Sequence, residues 1–385
     1  MSTPASTPIK STYTLSRRLQ GHNELILCMA ATSDGKLLAS GGGDGTIIWS
    51  LDNMSICRRM STHGGTTAIT WIKRDGTEGL VYGTHDGYLV FCRPLNQTFE
   101  EAQCLEVPHA SEVNSLVYDP TTNRLVVANR EGVIGLFIID PTEMTVDRKV
   151  WAVKVDESIP RALAFNSRLD VVVFGVHDGV YTLKGDDGSP DPDQMKELGV
   201  RIGDVAFDDS KSLYCVDNML TGCALYRTSD HAQEQEFEVP REKKRASGKR
   251  VIFAESSKIV VSGSDHGKIY VFNLNPGVLQ EIFDTKTSNW IQALTATSIN
   301  GTEFIIAGEA GAEGQKSDIY VFKKKGPWFT NLIYQVLQHL ALASQVLVYV
   351  GAVTAIYQNI EIFNATISAF LNWLFWFFML FSGRR

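Results

Sequence analysis

The sequence predicts an all-β fold, a seven-bladed propeller, followed by an α-helical hydrophobic tail. Three observations lead there: a tight-turn dipeptide that returns at a nearly constant interval, short β-branched and aromatic runs flanking each copy, and a C-terminal stretch almost without charge.

The turn recurs as Asp44-Gly45, Asp86-Gly87, Glu131-Gly132, Asp178-Gly179, Thr221-Gly222 and His266-Gly267. Successive glycines lie 42, 45, 47, 43 and 45 residues apart, the period of a four-stranded blade. A single blade leaves both sheet faces bare, so the units must stack in a ring to bury them.

Three strands are legible in each unit. An apolar strand comes first, as at Cys28 to Ala31, Ala68 to Ile72 and Val205 to Phe207. A polar turn such as Ser33-Asp34-Gly35 leads to a nearly all-aliphatic second strand, for example Leu125 to Val127 or Val171 to Phe174. The dipeptide turn and a third strand follow, as at Thr46 to Trp49 and Lys268 to Phe272. Short, evenly spaced runs punctuated by Gly and Asp are the signal of an all-β repeat. A last unit, its turn lengthened by Ala310 to Gln315, brings the number to seven. Tyr13 to Leu19 precedes the first unit as a lone strand, expected to complete the seventh blade beside Ile319 to Phe322 and hide the sheet edges.

Gly21-His22, Leu38-Ala39-Ser40-Gly41 and Gly43-Asp44-Gly45-Thr46-Ile47-Ile48-Trp49 resemble a WD40 repeat, and degenerate copies extend over residues 12 to 325. In that family a His, a strand Ser or Thr, the turn Asp and the closing Trp form a hydrogen-bonded structural tetrad, which the resemblance assigns to His22, Ser40, Asp44 and Trp49. Trp49 falls one residue closer to the turn Asp than the family pattern places it. Because side chains alternate faces along a strand, either a bulge restores it or the tetrad is broken.

The expected organisation is a disordered, polar N-terminus over residues 1–11, the propeller over 12–325, and a membrane-associated tail over 326–385 with helices at about 328–357 and 362–381. No formal charge occurs from Gly326 to Ile360, and after Glu361 none until Arg384-Arg385. A helix of ~20 residues crosses ~30 Å of hydrocarbon, and Trp328, Trp373, Trp376 and Phe377 are residue types suited to an interfacial belt. Lys323-Lys324-Lys325 before the tail and Arg384-Arg385 at its end suit a hairpin with both ends cytoplasmic; a single crossing, an interfacial helix and a helix packed on protein are the alternatives. Met1 to Ser11 has no signal-peptide character. The six cysteines contain no CxxC pair and read as reduced thiols, which agrees with a cytosolic propeller.

The net charge of −7 argues against nucleic acid as a partner. Arg241, Lys243, Lys244, Arg245, Lys249 and Arg250 form a local basic run, read as a solvated loop or as a patch for anionic lipid or an acidic partner, with Ser247 beside it as a phosphorylation candidate. Asp186, Asp187, Asp191 and Asp193 read as a solvated acidic insertion.

No phosphate loop, nucleophile elbow or HExxH helix occurs, so no catalytic residue, cofactor or metal ligand is expected; His85-Asp86-Gly87 and His177-Asp178-Gly179 read as self-capped turns. Aligning the units puts Leu27, Thr67, Asn114, Arg161, Gly203, Lys249 and Ala293 at the rim of the central channel, with Arg250, Trp290 and Gln292 next to them. Arg161, Lys249, Arg250, Trp290 and Asn114 are the expected contacts for a protein partner, since Arg and Trp are common interface anchors. Two functions fit. One is a membrane-anchored adaptor that recruits a protein partner. The other follows from a similarity in layout to the exchange factor of the endoplasmic reticulum that starts COPII coat assembly, and implies nucleotide exchange on a small GTPase at that organelle. The extended ion-binding loop of that family has no room here, because Gly41-Gly42-Gly43 runs straight into Asp44-Gly45.

Overall fold

The computed structural model describes residues 11–60, 63–73, 78–96, 98–177, 179–242, 248–312, 314–326, 344–345 and 360–382. The chain divides into two compact units, Met1–Lys324 and Lys325–Arg385.

Among the described residues the first unit consists of seven antiparallel sheets of four strands each. Their first strands touch one another in sequence around a ring and so line the channel: Ile26–Ala31, Thr66–Lys73, Val113–Asp119, Pro160–Phe165, Ile202–Asp208, Val251–Ala254 and Trp290–Ile299 define blades one to seven. At the recurring turns the backbone needs a left-handed residue, and Gly45, Gly87, Gly132, Gly179, Gly222 and Gly267 all have φ between 74° and 149°. That requirement is why the dipeptide repeats.

Burial follows the ring. Seven apolar clusters lie one between each pair of neighbouring blades. Leu38 and Trp49 of blade one meet Ile306 and Ile319 of blade seven, for example, while Ala39 and Ile48 on the opposite face of the same sheet meet Leu80 and Tyr82 of blade two. Both sheet faces are thus covered. This explains the all-aliphatic second strands, since each fully buried Val, Leu or Ile contributes about 1.5–3 kcal/mol.

Tyr13–His22 pairs antiparallel with Ser317–Lys324, with Leu15 opposite Phe322 and Leu19 opposite Ile319, so the first strand of the chain completes blade seven. The junction is also held from blade six. The Glu281 carboxylate accepts the Thr12 N–H at 2.8 Å, the Thr12 hydroxyl at 2.7 Å and the Tyr13 N–H at 3.3 Å.

The fourth strand of each expected four-stranded blade, unmarked by any apolar run, takes its place, and one expectation is corrected. Each blade has a fourth, outer strand: Ser55–Met60, Thr98–Glu106, Thr145–Lys154, Pro190–Lys196, Gln233–Glu238 and Val278–Asp284 in blades one to six. These strands have a solvated face and polar sequences, which hides them from a search for apolar runs. Asp191 and Asp193 accordingly belong to the outer strand of blade four rather than to an insertion, at an edge where Pro190 and charge deter further pairing.

In the second unit a helix spans Ile360–Ser382 and exposes Trp373, Trp376 and Phe377. Among the described residues no helix is long and apolar enough to cross a membrane. Trp328 and all but residues 344–345 of the helix expected at about 328–357 lie outside the described residues, as do Lys243, Lys244, Arg245 and Ser247.

Candidate functional site

The four residues assigned to the tetrad are brought together. His22 Nδ1 lies 2.5 Å from Asp44 Oδ1, His22 Nε2 lies 2.7 Å from Ser40 Oγ, and Trp49 donates its indole N–H to Ser40 Oγ at 2.8 Å. Asp44 also accepts the Asn23 N–H at 2.8 Å. Burial pushes the Asp44 carboxyl up, but the His22 and Asn23 hydrogen bonds outweigh it and hold the group below its ordinary value.

Register, not a bulge between the second and third strands, puts Trp49 in place. Counted from the turn glycine, the residue two positions later pairs with the residue four positions earlier in blades two and three, Leu89 with Gly83 and Ile134 with Ala128. In blade one Ile47 pairs with Ser40, five positions before Gly45. The pairing has slipped by one residue. Such a slip turns every side chain over, so a Trp one residue early again shares a face with Ser40.

Asp44, His22 and Ser40 are ordered as a charge, a base and a hydroxyl, the arrangement that activates a nucleophile. Here it is sealed. Ser40 is fully buried, and its oxygen is already occupied by Trp49 Nε1–H. With Nδ1–H donated to Asp44, His22 Nε2 accepts the Ser40 hydroxyl, and the four side chains satisfy one another. Blade six holds a comparable relay in which His266 lies 2.7 Å from Asp265 and 2.9 Å from the Tyr270 hydroxyl, all three buried. His85 is exposed beside its own Asp86 at 3.4 Å, and Asp178 lies outside the described residues.

The channel mouth is built from interruptions in the innermost strands. The register shifts between Ile26 and Cys28, Thr66 and Ala68, Val113 and Ser115, Pro160 and Ala162, Ile202 and Val205, and Ile291 and Ala293. Each shift leaves a residue out of the ladder and re-aims it: Leu27, Thr67, Asn114, Arg161, the Gly203-Asp204 pair, and Gln292. Arg250 occupies the corresponding place before Val251.

Most of these side chains grip the next blade. Thr67 donates to Val113 O at 2.7 Å, Asn114 to Pro160 O at 3.1 Å and Arg161 Nε to Gly203 O at 2.6 Å. Asp204 reaches forward as an acceptor, taking the Val251 N–H at 3.0 Å and the Arg250 guanidinium at 3.1 Å. Burial pushes the Asp204 carboxyl up against the pull of Arg250 and Arg161. The cavity at the mouth is about 80 Å³ and is lined by Thr67, Asn114, Arg161, Asp204, Lys249 and Arg250 among others. Sites for small organic molecules measure ~300–1,000 Å³, so this one admits a side chain and not a substrate of that size.

The expected partner residues therefore separate. Asn114, Arg161, Lys249 and Arg250 come together at the mouth, whereas Trp290 opens the innermost strand of blade seven opposite Ala310 and does not line the cavity. Arg250 and Gln292, not Lys249 and Ala293, hold the rim positions of blades six and seven. Lys249 is 3% exposed and fixed to the fully buried Asp217, with Nζ 3.1 Å from Oδ1 and its backbone N–H donated to Oδ2 at 2.8 Å. It is a strut of the wall. Asp217 was not singled out from the sequence; in the chain it is the one charged residue in a mostly apolar strand, Leu213–Asn218, and that mismatch is the available signal. Arg250 remains the most exposed cation of the group, its side chain 46% accessible.

The family model WD domain, G-beta repeat, matches residues 13–49. The matched segment starts with the strand that closes blade seven and ends at Trp49, so it contains the whole tetrad. The chain is a seven-bladed β-propeller in which residues 13–49, running from the closing strand of blade seven into blade one, match a WD40 repeat. No curated protein matches the sequence.

Proposed function

We propose that the chain is a protein-interaction scaffold whose partner docks on the channel mouth and inserts an acidic side chain beside Arg250. The observation that supports this most is the combination of a closed ring, a cavity of about 80 Å³ and a half-exposed arginine at its edge. The named lining charges are Arg161, Lys249 and Arg250 against Asp204, with Asp217 behind Lys249, a balance that favours an acidic group. Interfaces of this kind take most of their affinity from a few desolvated anchors, among which Arg is enriched.

The same proposal has the tail hold the propeller at a membrane, at the endoplasmic reticulum. Composition supports it: residues 326–385 carry only Glu361, Arg384 and Arg385 as formal charges. Affinity capture with the full chain tests the docking face. Arg250→Glu should abolish recovery of the principal partner, while Lys36→Glu in the turn after the innermost strand of blade one should not. Equal recovery with both variants overturns the reading, and stimulated nucleotide release from a small GTPase by the wild-type chain replaces it with exchange activity.

A further inference from the structure

We propose that His63, Glu101 and Cys104 form a binding site for a zinc-like divalent cation at the outer edge of blade two. The three residues offer an imidazole nitrogen, a carboxylate oxygen and a thiol sulfur, all within 4.8 Å of one another. His63 Nε2 and Glu101 Oε2 are 3.1 Å apart. Ligands ~2.1 Å from a tetrahedral zinc are separated by about 3.4 Å, so the pair is already spaced to share one ion.

Nothing in the linear pattern announces this site. Glu101 and Cys104 are three apart in the strand Thr98–Glu106, and alternation alone would send them to opposite faces. The outer strand is bulged, however: Cys104 pairs with Val90 and Glu101 with Cys92, two residues that share a face, so their partners share one too. The other outer strands carry similar bulges, and among the described residues only in blade two does the bulge align two such donors with a histidine. His63 arrives from the link between Ser55–Met60 and Thr66–Lys73, in a left-handed conformation with φ of 68°. Its ring packs against Tyr88 at 5.2 Å, which fixes its direction.

The donor set selects the metal class. A thiolate and an imidazole with one carboxylate suit zinc, whereas magnesium and calcium need mainly oxygen. Burial, then Glu101, pushes the Cys104 thiol up, so it is protonated until a cation displaces that proton to solvent. Three protein ligands leave a fourth position for water. A bound ion would pin the link entering blade two to that blade's own outer strand.

The test uses the full-length chain, reduced and freed of metal, titrated with Co²⁺ and then Zn²⁺. One equivalent of Co²⁺ should give the thiolate-to-cobalt charge-transfer band, and Zn²⁺ should remove it. The band should vanish in Cys104→Ser and His63→Ala, weaken on the order of ten-fold in apparent affinity in Glu101→Gln, and persist in Cys57→Ser. Zn²⁺ should raise the melting temperature of the wild type and of Cys57→Ser, that of Glu101→Gln by less, and that of Cys104→Ser and His63→Ala not at all. His63 lies in a link, so its alanine variant keeps the ring intact, and circular dichroism verifies this. Absence of the band with stoichiometric Co²⁺, or its survival in Cys104→Ser or His63→Ala, overturns the proposal.

Discussion

Lys249 of blade six and Asp217 of blade five form an ion pair through the wall between their blades, with 3% and 0% of their side chains exposed. Gly203 makes the space for it. A Cβ on Gly203 would sit 2.0 Å from Asp217 Oδ2 and 2.7 Å from the Gly248 Cα. Gly203→Ala should therefore unseat the carboxylate and lower the melting temperature more than an alanine at Gly311, where the backbone is not left-handed and a Cβ meets nothing closer than 3.4 Å. Equal losses at the two positions would show that the wall yields at no cost.

Removing one partner of a buried pair strands the other charge. Lys249→Ala should cost about 3–5 kcal/mol in unfolding free energy, and the double replacement Lys249→Met with Asp217→Leu distinctly less. Chemical denaturation of the three proteins decides between this and simple additivity.

Asp217 also sets a pH dependence. Burial raises its carboxyl from 3.8 to about 6 despite Lys249. The folded state thus holds the proton more tightly than the unfolded one, so this group's contribution to stability is complete below 3.8 and is lost as pH rises through about 6. Asp217→Asn should remove that decline from a plot of stability against pH. Asp44 has the opposite sign: its depressed carboxyl stabilises above the ordinary 3.8 and ceases to do so as the pH falls below it. Asp44→Asn should flatten the acid limb, and unchanged slopes in both variants would refute the assignment.

Within the tetrad, Ser40 is shared by two donors or acceptors and Trp49 by one. Ser40→Ala leaves His22 Nε2 and Trp49 Nε1 without their partner in a buried site, at about 1–3 kcal/mol for each group. Trp49→Phe removes the donor along with its bond. The serine variant should melt lower, and the reverse order would mean that indole packing outweighs the network.

Deleting residues 1–20 takes most of Tyr13–His22 from blade seven and uncovers the edge of Ser317–Lys324. Aggregation or a markedly lower melting temperature is expected. Glu281→Ala, which loses the bonds to Ser11, Thr12 and Tyr13 but keeps the strand itself, should produce a smaller shift in the same direction.

Much of the ring was legible because its cause is local. Turn glycines must take a positive φ, and strands buried on both faces must be aliphatic, so both leave marks in a single chain. Outer strands escaped for the converse reason, having one wet face and an ordinary polar composition. At the mouth the blade alignment found Leu27, Thr67, Asn114 and Arg161 but missed by one residue at Arg250 and Gln292. A bulge shifts the pattern by one, and no residue type encodes it. Asp217 and the trio His63, Glu101 and Cys104 depend on pairings between strands or blades, which no local pattern contains.

Four of the contacts at the channel mouth point the same way. Thr67, Asn114, Arg161 and Asp204 each reach toward the blade that follows in the chain. On a ribosome, where the chain emerges from its N-terminus, each of blades three to six would meet a predecessor already presenting the group that receives it. The growing ring has a ready end and a waiting end. Tyr13–His22, made first, has its sheet partner Ser317–Lys324 supplied last, so the strand that seals the molecule is also the one left unpaired for the longest part of its synthesis.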